Sequence, residues 1–95
     1  GSYLHVPNSF TPNNDGINDV FLPVLAGPVG TYLLEIFDRW GELIHSTTDP
    51  NAGWDGSCNG TLVQDGVYIW KLRHHVHGPA GISRQDRRGH VTLLR

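Results

Sequence analysis

Short extended segments, separated by turn signals, predict that this chain is all-β. β-branched and aromatic residues alternate along these segments with a period of two, and clusters of Gly, Pro, Asn and Asp lie between them. No stretch repeats its apolar residues at helical spacing. Short strands with regular turn signals indicate a small antiparallel β-sandwich of the immunoglobulin-like kind with about seven strands.

Length and composition bound the class of protein. The 95 residues suffice for one domain with a modest core. There is no methionine, and the chain begins Gly1-Ser2, which indicates a tag remnant and an expected domain of 3–95. A single cysteine permits no internal disulfide, and without a long apolar run we expect no direct membrane insertion. The domain is expected to be monomeric.

Charge is divided unevenly along the chain. Residues 1–70 hold eight acidic residues and one arginine, a balance of −7, whereas residues 71–95 hold six basic residues and one acidic residue, a balance of +5. The basic segment would suit an anionic partner. The acidic remainder of so small a globule would repel nucleic acid, so nucleic-acid binding is not expected.

The first strands flank a long polar loop. Residues 3–6 form an extended stretch that ends at Pro7, which predicts an edge strand. Residues 7–21 are rich in Asn, Asp, Gly and Pro, which predicts a loop held in place by its apolar side chains. Residues 20–25 are apolar and predict the second strand.

A hairpin follows at the centre of the chain. Residues 31–38 alternate in polarity and predict a central strand. Arg39, Trp40 and Gly41 fit a three-residue hairpin with glycine in the left-handed position, and residues 42–47 return antiparallel. The hairpin places Trp40 at an exposed tip.

The second half contains a crossing and two further strands. Residues 49–60 form a polar crossing in which Trp54 is expected to fill the core. Residues 67–73 alternate and predict a strand with one buried face. Residues 74–88 predict a long, solvated hairpin tip, and residues 89–95 predict the last strand.

Five segments together resemble one family. The chain is similar to the gliding-motility-associated C-terminal domain, also called the type B C-terminal domain of type IX secretion cargo. The segments that carry the resemblance are PNSFTPNNDGIND (7–19), IFDRWG (36–41), GWDG (53–56), DGVY (65–68) and GHVTLLR (89–95). Two features depart from the pattern, namely Cys58 and the long, basic tip at 74–88.

The resemblance implies a non-catalytic sorting module of a Bacteroidota surface protein. Such a module directs its cargo through the type IX translocon and holds it at the outer cell surface by associating with PorP-like outer-membrane proteins. The expected partner-binding residues lie at the hairpin tip and at the C-terminal end; they are Arg39, Trp40, Gly41, Leu93, Leu94 and Arg95.

The loop at 7–21 is also a candidate calcium site, and calcium is the only cofactor expected. Its oxygen-bearing residues resemble the interior of a calcium loop, although Thr11 stands where the first aspartate would be and Leu22 where a glutamate would be. The expected ligands are Asn13, Asp15, Ile17 and Asp19, to which Asp38 or Asp55 would add a carboxylate. The alternative is that these side chains bond the backbone of their own turns.

Other reactive side chains suggest weaker hypotheses. His75 and His77 share a strand face, but without a third ligand they are expected to be solvated, as is His74. Cys58 is expected to be an ordinary thiol. The three tryptophans suggest a sugar platform, although Trp54 and Trp70 are better explained as core.

Three functions therefore compete. The first is the sorting and anchoring module. The second is a calcium-dependent carbohydrate-binding or adhesion module, and the third is a structural spacer. No nucleophile elbow, zinc helix or phosphate loop is present in the sequence, so catalysis is not expected.

Overall fold

The computed structural model describes residues 3–12, 16, 19–26 and 29–95 of the chain. This part of the chain contains strands and no helix, which confirms the all-β class. The strands are β1 (Tyr3–His5), β2 (Ser9–Phe10), β3 (Val24–Ala26), β4 (Val29–Phe37), β5 (Leu43–Thr47), β6 (Ser57–Cys58), β7 (Thr61–Leu62), β8 (Gly66–Gly78) and β9 (Gly81–Leu93). A helix that could cross a membrane is therefore not found among these residues.

Five of the strands form the main sheet, in the order β2-β9-β8-β4-β5. Its neighbouring strands are antiparallel except for β2 and β9, which run parallel through Ser9↔Thr92 and Phe10↔Leu93. β1 and β3 form a separate antiparallel pair, and β6 and β7 form a short hairpin. Partly buried residues of the smaller sheet, Leu4 and Leu25, pack against the core of the main sheet. This sandwich-like arrangement agrees with the fold class predicted from the sequence.

Period-two alternation places the core on one face of the main sheet. Tyr68, Trp70 and Leu72 of β8 are buried, as their spacing predicted. The other buried apolar residues come from β2, β4, β9 and the connecting segments; they are Phe10, Phe21, Tyr32, Leu34, Ile36, Trp54, Val91 and Leu93. One continuous cluster therefore joins the sheet to the loops that cover it.

Trp54 fills the centre of this core, as predicted. Its ring centroid lies 5.4 Å from that of Phe10 and 5.1 Å from that of Tyr68. Its backbone pairs with that of Phe21 through two hydrogen bonds of 2.8 and 2.9 Å, and its indole N–H donates to the Ser57 carbonyl oxygen at 2.9 Å. Burial of a tryptophan whose N–H is bonded stabilises the fold without an unsatisfied donor.

The structure corrects two boundaries near the first loop. Residues 7–21 were predicted to be loop throughout, but Ser9–Phe10 forms β2. Two residues carry too little local pattern to predict a strand, and their partner lies more than eighty positions away in the sequence. The second strand was predicted at 20–25 but occupies Val24–Ala26. Pro23, which has no N–H for the ladder, precedes it.

Residues 74–88 are largely exposed, as predicted, but they form paired strands and not a hairpin tip, so the last strand begins earlier than predicted. β8 and β9 remain paired without a register shift up to Gly78↔Gly81, so only residues 79–80 connect them. His74 is 4% exposed. Polar side chains do not prevent a ladder whose backbone groups are paired and whose outer face meets solvent. The result is a long two-stranded arm.

Candidate partner-binding surface

The β4–β5 hairpin is held by one carboxylate. Oδ1 of Asp38 accepts hydrogen bonds from the N–H groups of Trp40 and Glu42, both at 2.9 Å. Gly41 has φ +86°, and its N–H donates to the Asp38 carbonyl oxygen at 3.1 Å. The three-residue hairpin with a left-handed glycine is thus confirmed. These bonds fix the direction in which the tip points.

Trp40 is an exposed aromatic side chain at this tip, with 76% of its surface accessible. The guanidinium carbon of Arg39 lies 4.3 Å from the centroid of the Trp40 ring. At this distance the cation is attracted to the ring face, which limits the motion of both side chains. An exposed, ordered tryptophan beside an arginine has the composition of an interface anchor.

The C-terminal end presents one of its two leucines to solvent. Leu93 is fully buried and belongs to the core, whereas Leu94 is 53% exposed. The N–H of Leu94 donates to the Phe10 carbonyl oxygen at 3.1 Å, which continues the pairing with β2. In the folded domain, Leu94 is therefore the apolar side chain that this end offers to a partner.

Arg95 ties the C-terminal end to two other segments. Its backbone N–H donates to Oδ2 of Asp65 at 2.9 Å, and its Nη1 lies 3.2 Å from Oδ1 of the same carboxylate. Nη1 also donates to the Val63 carbonyl oxygen, and Nη2 donates to the Gly56 carbonyl oxygen at 3.0 Å. Four contacts through one side chain and one N–H hold residues 94–95 against the body of the domain.

The hairpin tip and the C-terminal end adjoin one another. Asp65, which holds Arg95, lines a cleft of about 80 Å³ together with Asp38, Arg39 and Trp40. The sequence predicted these two segments separately, and the fold brings them to the same end of the sandwich. We call this the end surface; it comprises Arg39, Trp40, Gly41, Asp65, Leu94 and Arg95.

Tyr68 is a buried residue that lines the same cleft. Its hydroxyl donates to the Gln64 carbonyl oxygen at 2.6 Å. Burial raises its pKa, and the charges of Arg95, Asp38, Asp65 and Arg39 all act on it. Sequence reasoning missed the positioning roles of Asp38 and Asp65. The Asp65-Gly66 pair indicated a turn, but no local signal connects it to Arg95.

Most of the candidate calcium ligands lie outside the described residues, namely Asn13, Asp15 and Ile17. Asp19 is described, and its Oδ2 accepts a hydrogen bond from the Gly16 N–H at 2.7 Å. Within residues 3–12, 16, 19–26 and 29–95, no group of three or more His, Cys, Asp or Glu side chains is placed to hold a metal ion.

The two carboxylates considered as additional ligands make turn hydrogen bonds. Asp38 holds its own hairpin, as described above. Oδ1 of Asp55 accepts hydrogen bonds from the N–H and the hydroxyl of Ser57, at 3.1 and 2.6 Å. These contacts are of the kind that Asp side chains commonly make in turns.

The histidines of β8 differ from the solvated residues that were expected. His74 is buried, and neither of its ring nitrogens has a hydrogen-bond partner among the described residues. His75 is half-buried, and the side chain of His77 lies outside the description. Burial lowers the pKa of His74, and Arg87 and His75 act in the same direction.

Cys58 is a free, half-buried thiol in β6. It lines an open cleft of about 510 Å³ to which His45 and Asp55 also contribute. Burial is the main cause that lowers the pKa of His45, with Asp55 opposing it. A neutral imidazole does not activate a thiol by charge, which is consistent with an ordinary cysteine.

Two of the three tryptophans are structural, as predicted. Trp54 is fully buried and Trp70 is 8% exposed, so neither ring is available as a flat platform for a sugar. Trp40 is the tryptophan that a ligand or partner can reach.

Comparison with known proteins identifies one family. The family model described as CHU_C type IX secretion signal domain matches residues 4–93. The match runs from β1 to the end of β9 and includes the hairpin tip. Among curated proteins, no match is found.

Proposed function

The chain belongs to the type IX secretion signal domain family, and we propose that it is a non-catalytic module that anchors its cargo at the outer cell surface by binding a PorP-like outer-membrane protein. Membership itself gives the coarser function, a C-terminal sorting signal of a secreted cargo that engages the type IX secretion system. Domains of such a signal family are typically non-catalytic. Anchoring and the identity of the partner are the proposal.

The end surface is the observation that carries this proposal. It combines an exposed tryptophan, a half-exposed leucine at position 94 and charged groups that are held in place by hydrogen bonds. Interfaces commonly concentrate their binding energy in a few aromatic and arginine side chains surrounded by a polar rim. Trp40 and Arg39 supply such side chains, and Asp65 and Arg95 supply a rim.

A surface-display experiment tests the proposal. A fluorescent reporter fused to the domain is expressed in a host with a type IX system, and its location is determined by protease accessibility and fractionation. We expect Trp40→Ala to lower surface retention about tenfold, because removal of a central aromatic anchor commonly costs 2 kcal/mol or more of binding free energy, about 30-fold in affinity.

Leu62→Ala is the matched control. Leu62 is 68% exposed and lies in β7, outside the end surface, so its truncation removes exposed apolar surface without touching the proposed contact. Normal surface retention of Trp40→Ala, with circular dichroism showing a folded domain, would exclude the end surface as the anchor. Deletion of residues 89–95 is less informative, because it removes the core residues Val91 and Leu93.

The competing functions predict other outcomes. A calcium-dependent carbohydrate-binding module would release heat with polysaccharides in calorimetry and would lose that heat in chelator. A structural spacer would leave the reporter's location unchanged when the whole domain is removed. The burial of Trp54 and Trp70 weighs against a tryptophan platform for sugars.

A further inference from the structure

The free edge of β9 is a second surface, separate from the end surface. β2 covers β9 only at Thr92 and Leu93. From Gly81 to His90, β9 pairs with β8 on one side, and no described residue pairs with it on the other. This edge is about 30 Å long at 3.3 Å per residue. Such an edge is a template for an additional strand.

Backbone N–H and C=O groups point alternately to the two edges of β9, which identifies the groups that have no partner among the described residues. The Thr92 N–H donates to the Asn8 carbonyl oxygen, and the Leu94 N–H donates to the Phe10 carbonyl oxygen, so both point towards the edge that β2 covers. The register of β8 and β9 has no shift, so the N–H and C=O groups of every second residue point towards the same edge. Their outward N–H and C=O groups have no partner among residues 3–12, 16, 19–26 and 29–95; these residues are Ile82, Arg84, Asp86, Arg88 and His90.

The side chains of these same residues project onto the outer face of the sheet. They lie opposite residues of β8 that share this face, for example Lys71 opposite Arg88 and Arg73 opposite Asp86. All five are exposed, and Ile82 is 64% exposed. Next to the edge, a groove of about 400 Å³ is lined by Arg88, His90 and Ile69.

The charge along this edge is positive. Residues 81–90 hold three arginines and one aspartate. Arg84 lies 3.0 Å from Asp86, and Arg73 lies 3.2 Å from the same carboxylate, so two cations share one anion. Arg88 forms no ion pair within the described part of the chain. Arg87 lies opposite Leu72 on the other face, so an incoming strand would meet Arg84 and Arg88 on the outer face, with Asp86 between them.

We propose that the free edge of β9 binds an extended segment of a partner protein that carries two carboxylates four residues apart, with an uncharged or basic residue midway between them. The segment adds a strand to the main sheet, in line with β2. Its backbone pairs with the open N–H and C=O groups, and its carboxylates lie beside Arg84 and Arg88 on the outer face. Edge pairing supplies affinity, and the spaced charges supply register and specificity.

A second copy of the chain fits this edge less well. Antiparallel pairing of two β9 edges centred on Asp86 places Arg84 opposite Arg88 and the two Asp86 carboxylates opposite each other, and in any register it brings together two edges that each carry a net positive charge. Like charges placed across a strand pair are destabilising. The charge of the edge therefore favours an acidic segment over self-association.

Hydrogen exchange followed by NMR tests the proposal directly. In the free protein, the amides of Arg84, Asp86 and Arg88 are expected to exchange quickly, whereas those of Gln85 and Arg87 are protected by β8. A ten-residue peptide of valine and threonine with two glutamates four residues apart, the spaced peptide, should protect the fast set. A peptide of the same composition with its glutamates grouped at one end should bind at least about tenfold more weakly, because one or two contacts between its carboxylates and the arginines are lost.

Asp86→Pro and Asp86→Asn form a matched pair of variants. Both remove the same negative charge, but only proline removes the open N–H, and proline is tolerated where an edge N–H faces solvent. We expect the spaced peptide to bind Asp86→Asn at least as tightly as the unaltered protein. It should bind Asp86→Pro about tenfold more weakly than Asp86→Asn.

Three results would overturn the proposal. They are equal binding of the peptide by the two variants, binding that leaves the open amides unprotected, and dimers of the free protein in sedimentation. The first two would indicate attraction by charge alone. The hydrogen-exchange test uses the unaltered protein, so it tests the proposal even if neither variant folds. None of these measurements depends on the anchoring role of the end surface.

Discussion

His74 is a buried histidine without a hydrogen-bond partner among the described residues. Burial lowers its pKa below the usual 6.5, and Arg87 and His75 add to the effect. As the pH falls through 6.5, the unfolded chain takes up a proton that the folded domain does not. Its stability should therefore decrease from about pH 7 towards pH 5.

Replacement of this histidine tests that conclusion. We expect His74→Leu to raise the free energy of unfolding at pH 7 by about 1 kcal/mol, because it removes two buried polar atoms that lack partners. The variant should also lose less stability between pH 7 and pH 5. Urea denaturation at both pH values measures the two effects. His90→Leu alters an exposed histidine and serves as the control. An unchanged pH dependence in His74→Leu would contradict the assignment.

Gly89 is required by the packing of one indole ring. It lies opposite Trp70, and a Cβ atom at position 89 would stand 2.8 Å from Cζ2 of that ring. We expect Gly89→Ala to destabilise the domain by about 1–3 kcal/mol, since the tryptophan must move. At Gly78 of the same arm, a Cβ atom would meet nothing closer than 3.8 Å. A melting temperature lowered equally by Gly78→Ala would argue against the clash.

At the scale of elements, Arg95 determines how firmly the end of β9 is held. We expect Arg95→Ala to lower the free energy of unfolding by about 1–2 kcal/mol, because it removes hydrogen bonds to two carbonyl groups and one carboxylate. Hydrogen exchange of the Leu94 amide should become faster by more than the loss of global stability accounts for. Arg88→Ala, at an exposed arginine of the same strand, should leave that amide unchanged. Equal exchange in both variants would show that pairing with Phe10 suffices.

The elements differ in how far local sequence predicted them. β4 and the buried face of β8 followed from period-two alternation, because one face of each strand packs on the core, and β5 followed as the return strand of the predicted hairpin. The hairpin at Gly41 followed from its required backbone conformation. β2 could not be predicted, since its partner is distant in the sequence. The outer half of the arm was missed because its exposed face is as polar as a loop.

At the scale of the whole molecule, calcium should act on stability if the loop at 7–21 binds it. A ligand that binds only the folded state stabilises that state by mass action. The calcium hypothesis therefore predicts a higher Tm in millimolar calcium than in chelator. Magnesium at the same concentration is the control for ionic strength. An identical melt in calcium and in chelator would favour turn hydrogen bonds, as Asp19 and Gly16 already form one.

Alternation, turn chemistry and the size of an indole act locally, so they sufficed to predict the all-β class, the core face of β8, the core position of Trp54 and the exposure of Trp40. The sequence also carried the family resemblance, which the match over residues 4–93 confirms. The folded chain was needed to show that Arg95 reaches Asp65, that the hairpin tip and the C-terminal end adjoin, and that β9 has an edge from Gly81 to His90 with which no described residue pairs. Each of these depends on contacts between residues distant in the sequence, which local preferences do not specify.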